Sequence, residues 1–472
     1  MARHLQPGGT IDGFLLIEPM HHGGLGALWL VSRPDIELPV VMKLPLLEPG
    51  DDPLAIVSYE TEQMILPRLS GTHVPRFVAT GDFDGPYIVM ERIRGRSLKE
   101  RLDDLPLAPD EVADLGARIA DALAELHAQR VVHLDIKPSN IMVRDNDDVV
   151  LLDFGLSRHL DLPDLPAEEL DGPLGTNSYI APEQLLGVRD DTRSDLFALG
   201  VVLYFLVTGR RPFGEPRTVA QWRKRLYVAP APPRYWRPEL PPWLQEIILH
   251  CLEVDPRNRY QSATHLAFDL RHPELVPLTE RATRVRGNRL LSVLHRWFTQ
   301  AKKRIAILPE PRTAAGSGVI IMAAVDLSEE YEQLSQALAK AVARLLESEP
   351  NARLACVNVF KLARMLPDKY EDEEGRSVHL LRLSQLKHWA APLQHLPNQI
   401  TYHVIEAFDP AAALIDFARR NKVHHLVMGA RNAAPLRRYL GSVSSKIIAE
   451  APCTATVVRI QGSFPSTDTQ PA

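Results

Sequence analysis

Four side chains that a hydrophobic core would not choose lie close together between residues 131 and 155: Asp135, Lys137, Asn140 and Asp153. Two short apolar stretches, 141–143 and 149–152, separate them and are joined by a polar turn at 144–148. That is the pattern of a β-hairpin. One carboxylate stands upstream of the first strand and the other directly follows the second. Carboxylate, ammonium, amide and second carboxylate on one rigid hairpin make a site for a polyanion and its divalent cations. Magnesium takes hard oxygen ligands, commonly one or two carboxylates completed by substrate phosphates.

The elements that must position this hairpin lie on both sides of it. Residues 11–43 alternate like strands around a glycine-rich turn containing His21, His22, Gly23, Gly24, Leu25 and Gly26, and Lys43 ends the last strand. Glycines let backbone amides approach phosphate oxygens that a side chain would block. Residues 53–69 read as a helix in which Glu62 keeps helical spacing to Leu66 and Leu69. Val112, Leu115, Ile119, Leu123 and Leu126 form one apolar helical stripe that delivers the chain to the hairpin. The longest apolar run, 196–207, is 12 residues, too short to span a bilayer and right for a buried helix.

Composition sets the class. The chain has 472 residues, room for two or three domains, with 45% apolar and 24% charged residues. A net charge of −5 gives no global attraction to nucleic acid. Cys251, Cys356 and Cys453 are far apart, as expected of reduced thiols in a cytoplasmic protein. No signal peptide or transmembrane span is expected.

The order His133, Leu134, Asp135, Ile136, Lys137, Pro138, Ser139, Asn140, followed by Asp153, Phe154 and Gly155, resembles the catalytic loop and metal-binding motif of the eukaryotic-type Ser/Thr protein kinases. The resemblance implies an α+β bilobal kinase fold over 11–272 and a set of roles. Asp135 would accept the proton of a substrate hydroxyl, with Lys137 near the transferred phosphoryl group. Asn140 and Asp153 would hold magnesium, with manganese as a substitute. Lys43 would pair with Glu62 and reach the phosphates of ATP under Gly23, Gly24 and Gly26. Met90 would be the gatekeeper, and the backbone of Glu91 and Ile93 would bind adenine. His133 would support Phe154. Residues 175–183 resemble the segment that anchors a Ser/Thr substrate, with Thr176 beside Lys137 and Glu183 paired to Arg259. The family's glycine loop opens on a glycine where this chain has His21.

The activation loop departs further. Kinases switched by phosphorylation there carry an Arg before the catalytic Asp, and here that residue is Leu134. Between Arg158 and Gly175 there is no Ser, Thr or Tyr, but Asp161, Asp164, Glu168, Glu169 and Asp171 are present. Activity is therefore expected not to depend on a phosphate in this loop. Alternatively the acidic run stands in for one, which requires a basic partner.

Residues 281–304 carry eight Lys or Arg and no acid, with Leu290, Leu291, Leu294, Trp297 and Phe298 among them. This region, 273–315, reads as a basic linker with an amphipathic helix, packed on its own protein or facing an anionic membrane or an acidic protein. Beyond it strands and helices alternate: strands at 319–325, 352–359, 401–405, 425–428 and 454–460, helices at 331–346, 410–421 and 443–450. That alternation predicts an α/β doubly wound parallel sheet over 316–460, with ligands at the carboxyl ends of strands near Asp326 and Gly429. Residues 323–330, 427–432 and 441–444 resemble the universal stress protein family, which implies a nucleotide site using Asp326, Gly429, Gly441 and Ser442. Asn432 replaces a family glycine and the spacer to Gly441 is eight residues, one short of the family pattern. Nucleotide sensing and homodimerisation are the two roles this leaves for the domain. A disordered tail is expected at 461–472. For the whole chain, the alternatives to a Ser/Thr kinase are a pseudokinase scaffold and an ATP-binding stress sensor.

Overall fold

Phe14 and Leu16 are buried while Leu15 and Ile17 face out, the two-residue period of a strand with one covered face. The same period buries Ala27, Trp29 and Val31. In the computed structural model these residues belong to a six-stranded antiparallel sheet, ordered β1-β2-β3-β4-β6-β5. Its strands are β1 (Thr10–Ile11), β2 (Phe14–Gly23), β3 (Gly26–Ser32), β4 (Val40–Leu44), β5 (Phe77–Thr80) and β6 (Ile88–Glu91). Helix α1 (Pro53–Ile65) lies between β4 and β5 in the chain. The structure describes residues 5–23, 26–45, 53–81, 86–169, 174–216, 218–285, 319–328, 332–349, 352–361, 378–393, 400–430 and 442–459. Gly24, Asn432, Gly441, most of the basic linker and the tail lie outside them.

The second lobe is helical. Helix α2 (Pro109–Ala128) starts on a proline with Asp110 and Glu111 in its first turn, both favourable at a helix N-terminus. All five residues of its apolar stripe are buried. The stripe packs into one core with α4 (Arg193–Thr208), whose apolar run is buried except at Phe205, and with the helices Pro242–Cys251 and Ala263–Arg271. Between α2 and α4 run β8 (Val131–Val132), the hairpin β9 (Ile141–Val143) and β10 (Val149–Leu151), β11 (Arg158–His159) and the short helix α3 (Leu165–Glu169). Strand β7 (Arg96–Ser97) pairs with β9 and β11 with β8. Gly95, at φ +138°, has no room for a side chain: a Cβ there would sit 2.0 Å from the Val143 carbonyl oxygen. The chain is an α+β bilobal fold followed by a second, α/β unit.

One histidine of this lobe gives a stability prediction. His250 lies against the Tyr260 ring at 4.3 Å. Burial, reinforced by the nearby Arg281 cation, pushes its pKa from 6.5 down to about 4. The unfolded chain therefore binds a proton that the folded chain refuses, so stability is complete above pH 6.5 and is lost as pH falls towards 4. His250→Gln should flatten that part of the acid dependence, read as the thermal midpoint of wild type and variant between pH 7 and about 4.5. Parallel profiles would refute the assignment.

The second unit is a parallel sheet of β12 (Ile320–Ala324), β13 (Arg353–Lys361), β14 (Ile400–Ala407), β15 (His425–Gly429) and β16 (Thr454–Val458). Their spatial order is β14-β13-β12-β15-β16. Alternate residues feed opposite faces. Ile321, Ala323, Leu354 and Cys356 join the helices Glu332–Ser348 and Val378–Ala390 in one core. Met322, Ala355, Val357 and Met428 join Pro410–Arg420 and Ser442–Glu450 in the other. This is a doubly wound α/β domain. Helix Val378–Ala390 was not expected, although Leu383, Leu386 and Ala390 are buried at helical spacing. No helix among the described residues is long and apolar enough to cross a membrane. Of the basic linker, Arg281 is described, and it is tied to Glu246 at 2.8 Å and Glu253 at 3.2 Å on the helical lobe.

Candidate active site

The approach to the hairpin is strained, and α4 holds it. Leu134 has φ +63° and Asp153 +65°, left-handed conformations that cost ordinary residues roughly 1–2 kcal/mol each. Asp195, near the start of α4 and fully buried, accepts hydrogen bonds from the backbone amides of His133 at 2.9 Å and Leu134 at 2.8 Å. Its carboxylate also meets His127 at 2.9 Å. The His133 ring contacts Leu152 O at 3.1 Å and the Phe154 ring at 5.2 Å, so it joins the two motifs as a packed residue.

Asp135 is 5% exposed, and both of its carboxylate oxygens are in use. Oδ1 accepts from the Thr176 hydroxyl at 2.6 Å. Oδ2 accepts from Lys137 Nζ at 2.6 Å and from Asn140 Nδ2 at 3.0 Å. Lys137 also donates to Thr176 Oγ1 at 3.0 Å. A hydroxyl from the chain itself thus rests on Asp135, with an ammonium beside it.

Lys43 Nζ, on β4, lies 2.5 Å from Glu62 on α1 and 3.0 Å from Asp153. Burial pulls the lysine down, but the carboxylates of Asp153 and Glu62 outweigh it and raise its pKa above that of an ordinary lysine. Lys43 in turn holds Asp153 down to about 2, so this carboxylate is ionised. Burial pushes the Glu62 carboxyl up against the pull of Lys43, and Glu62 also accepts from the Phe154 amide at 3.4 Å. Gly155 lets α1 come this close: a Cβ there would meet Ser58 Cβ at 2.9 Å. Asp153 keeps 42% of its side chain open to solvent. Asp153 and Asn140 can offer oxygens to a hard cation. Among the described residues no group of three His, Cys, Asp or Glu forms a closed metal cage. A hard cation held by two such side chains would need further oxygen ligands from water or from a bound anion.

Of the other expected residues, Gly23 ends β2 and Gly26 opens β3, while Gly24 between them is not described. Glu91 ends β6, its amide donating to Arg76 O and its carboxylate accepting from Arg144 on the hairpin turn at 2.7 Å. Ile93 follows two residues later. In the second unit, Asp326 and Gly429 lie at the carboxyl ends of the adjacent strands β12 and β15, where the strand order reverses. Asp326 accepts from the Ser328 amide and hydroxyl at 3.2 and 2.6 Å. Ser442 begins the helix Ser442–Glu450.

Several positioning residues gave no local signal. Gln184 donates to Leu134 O at 3.1 Å and accepts from the Ala181 amide, linking the hairpin approach to 175–183. Arg225, fully buried, donates to Ile180 O and Asn177 O in that same segment. The acidic loop does have basic partners. Arg130 pairs with Asp161 at 2.8 Å, and Arg189 grips both oxygens of Asp164 at 3.1 and 3.0 Å while donating to Leu156 O. The first pair is more than half exposed and contributes little. The second is largely covered.

Residues 23–269 match the protein kinase domain family, and residues 320–459 match the universal stress protein family. The serine/threonine-protein kinase PknB of Mycolicibacterium smegmatis is 31% identical over 265 residues, covering 55% of this chain and 42% of that protein. The serine/threonine-protein kinase Pkn1 of Myxococcus xanthus is 33% identical over 293 residues, 60% of this chain and 41% of that protein. The chain spans about two fifths of the length of these relatives. The crystal structure of the Mycobacterium tuberculosis PknI kinase domain is 24% identical with a TM-score of 0.45, covering 57% of this chain and 99% of that one.

Proposed function

Because the chain belongs to the protein kinase family, we propose that it is a Ser/Thr protein kinase that moves the γ-phosphoryl group of ATP to hydroxyls of a protein substrate. One observation carries the reading: Lys43, Glu62 and Asp153 converge in one cluster, and Asp135, Lys137 and Thr176 in another that Asn140 joins. In this reading Lys43, held by Glu62, takes the phosphates under Gly23, Gly24 and Gly26, and the backbone of Glu91 and Ile93 takes the adenine. Asn140 and Asp153 hold magnesium, which when bound offsets charge on the phosphoryl oxygens. Asp135 receives the acceptor proton, in the place the Thr176 hydroxyl now occupies. Lys137 lies 2.6 Å from that carboxylate and supplies positive charge where the phosphoryl group is passed. Asp326 and Gly429, with Gly441 and Ser442, are the residues for a nucleotide-sensing role of the second domain, and homodimerisation is its other assignment.

The test is transfer of label from radiolabelled ATP to a panel of basic proteins by the full chain. Label should appear on Ser and Thr, not Tyr, and should vanish when divalent cations are chelated. ATP binding without any transfer, in magnesium or manganese, would leave a pseudokinase scaffold instead.

A further inference from the structure

Glu168, on the short helix α3 of the acidic loop, is nearly buried, and the arginine that pairs with it comes from the other domain. Arg353, the first residue of β13, donates through Nη1 to Glu168 Oε1 at 2.5 Å and through Nη2 to Oε2, a two-pronged pair. The same Nη2 donates to Thr401 Oγ1 at 3.0 Å, which fixes the guanidinium on the edge strand β14. His403, fully buried on β14, brings Nε2 to 3.6 Å from Glu168 Oε2 and packs at a tilt against the Phe417 ring of its own domain. A second contact lies on α1: Ile56 packs against the apolar core formed by the other face of the parallel sheet. Helices α1 and α3 are themselves in contact.

The C-terminal domain therefore touches both helix α1 and the loop that carries α3. Helix α1 carries Glu62, and α3 belongs to the segment that continues to Thr176. With the domain docked, Lys43 and Glu62 are paired and Thr176 rests on Asp135. The docked domain and the paired side chains thus occur together in this structure. We propose that the C-terminal domain is a built-in positioning partner of the kinase, that Arg353 is its contact residue acting through Glu168, and that phosphoryl transfer at full rate requires this contact. It gives Glu168 a basic partner, beside those that Arg130 and Arg189 give Asp161 and Asp164. The proposal rests on the kinase reading above.

The experiment uses the full chain as wild type, Arg353→Glu, Glu168→Arg and the exchanged pair Glu168→Arg/Arg353→Glu. Each single variant should lower kcat by about ten- to a hundredfold, the scale of a misplaced catalytic constellation, with the KM for ATP within a few-fold of wild type. The exchanged pair should recover most of that loss. Amide hydrogen exchange across 158–169 gives a readout that does not need activity: faster in each single variant and restored in the exchanged pair. Single variants within twofold of wild type, or more active, overturn the proposal, as does an exchanged pair no better than the worse single. A wild type that transfers no label but shows the exchange pattern would overturn the kinase reading and leave the contact standing.

Discussion

Asp135→Asn should lower the rate of phosphoryl transfer by about a hundred- to ten-thousandfold, the range of a positioned general base, while the affinity for ATP changes little. The substitution keeps the shape of the side chain and removes its charge and proton affinity. In the wild-type site one oxygen receives the Thr176 hydroxyl at 2.6 Å, and the other receives Lys137 and Asn140. An amide can still accept on one side, but on the other it presents a donor, which would oppose Lys137, Asn140 or the acceptor hydroxyl. Lys43, Glu62 and Asp153 are not touched by the change, which is why ATP should still bind. Initial rates of label transfer as a function of ATP concentration separate the two parameters. A kcat within tenfold of wild type would remove Asp135 from the role of base.

What could be read beforehand follows from how far apart the partners lie in the chain. The hairpin and its four polar residues occupy one short stretch, so residue type and spacing were enough. Lys43 and Asp153 are 110 positions apart, and their meeting was expected only through family resemblance, with the geometry following later. The parallel sheet was legible because strands buried on both faces form continuous apolar runs bounded by helices. The partners of the acidic loop were not legible. Arg353 is 185 positions from Glu168, and a lone arginine at the start of a strand looks the same whether or not a carboxylate faces it. Arg189 and Arg225 are hidden for the same reason, since burial of a charged side chain is a property of the fold and leaves no local pattern. The helix Val378–Ala390 did leave a local pattern, with Leu383, Leu386 and Ala390 at helical spacing among Arg382, Gln385 and Lys387, and it was passed over. The alternative, an acidic run standing in for a phosphate, required basic partners, and Arg189 and Arg353 hold Asp164 and Glu168.

Arg259→Ala should destabilise the kinase lobe by about 3–5 kcal/mol, the cost of leaving one member of a buried ion pair without the other. Arg259 is 2% exposed and grips Glu183 with two hydrogen bonds of 2.7 Å. It also donates to the carbonyls of Glu253, Arg193 and Val254 and lies over the Phe197 ring. Removing it takes a donor from three carbonyls and leaves the Glu183 carboxylate with the Ser194 hydroxyl, 2.6 Å away, in place of a cation. The pair itself contributes less than this loss suggests, because taking both charges out of water offsets much of their attraction. The double variant Glu183→Gln/Arg259→Met should therefore be more stable than Arg259→Ala alone, read as denaturant midpoints at equal slope. Activity should follow the same order, because Glu183 ends the segment that begins at Gly175 and carries Thr176 to Asp135. If the single and double variants were equally destabilised, the loss would lie in packing over Phe197 and not in an orphaned charge.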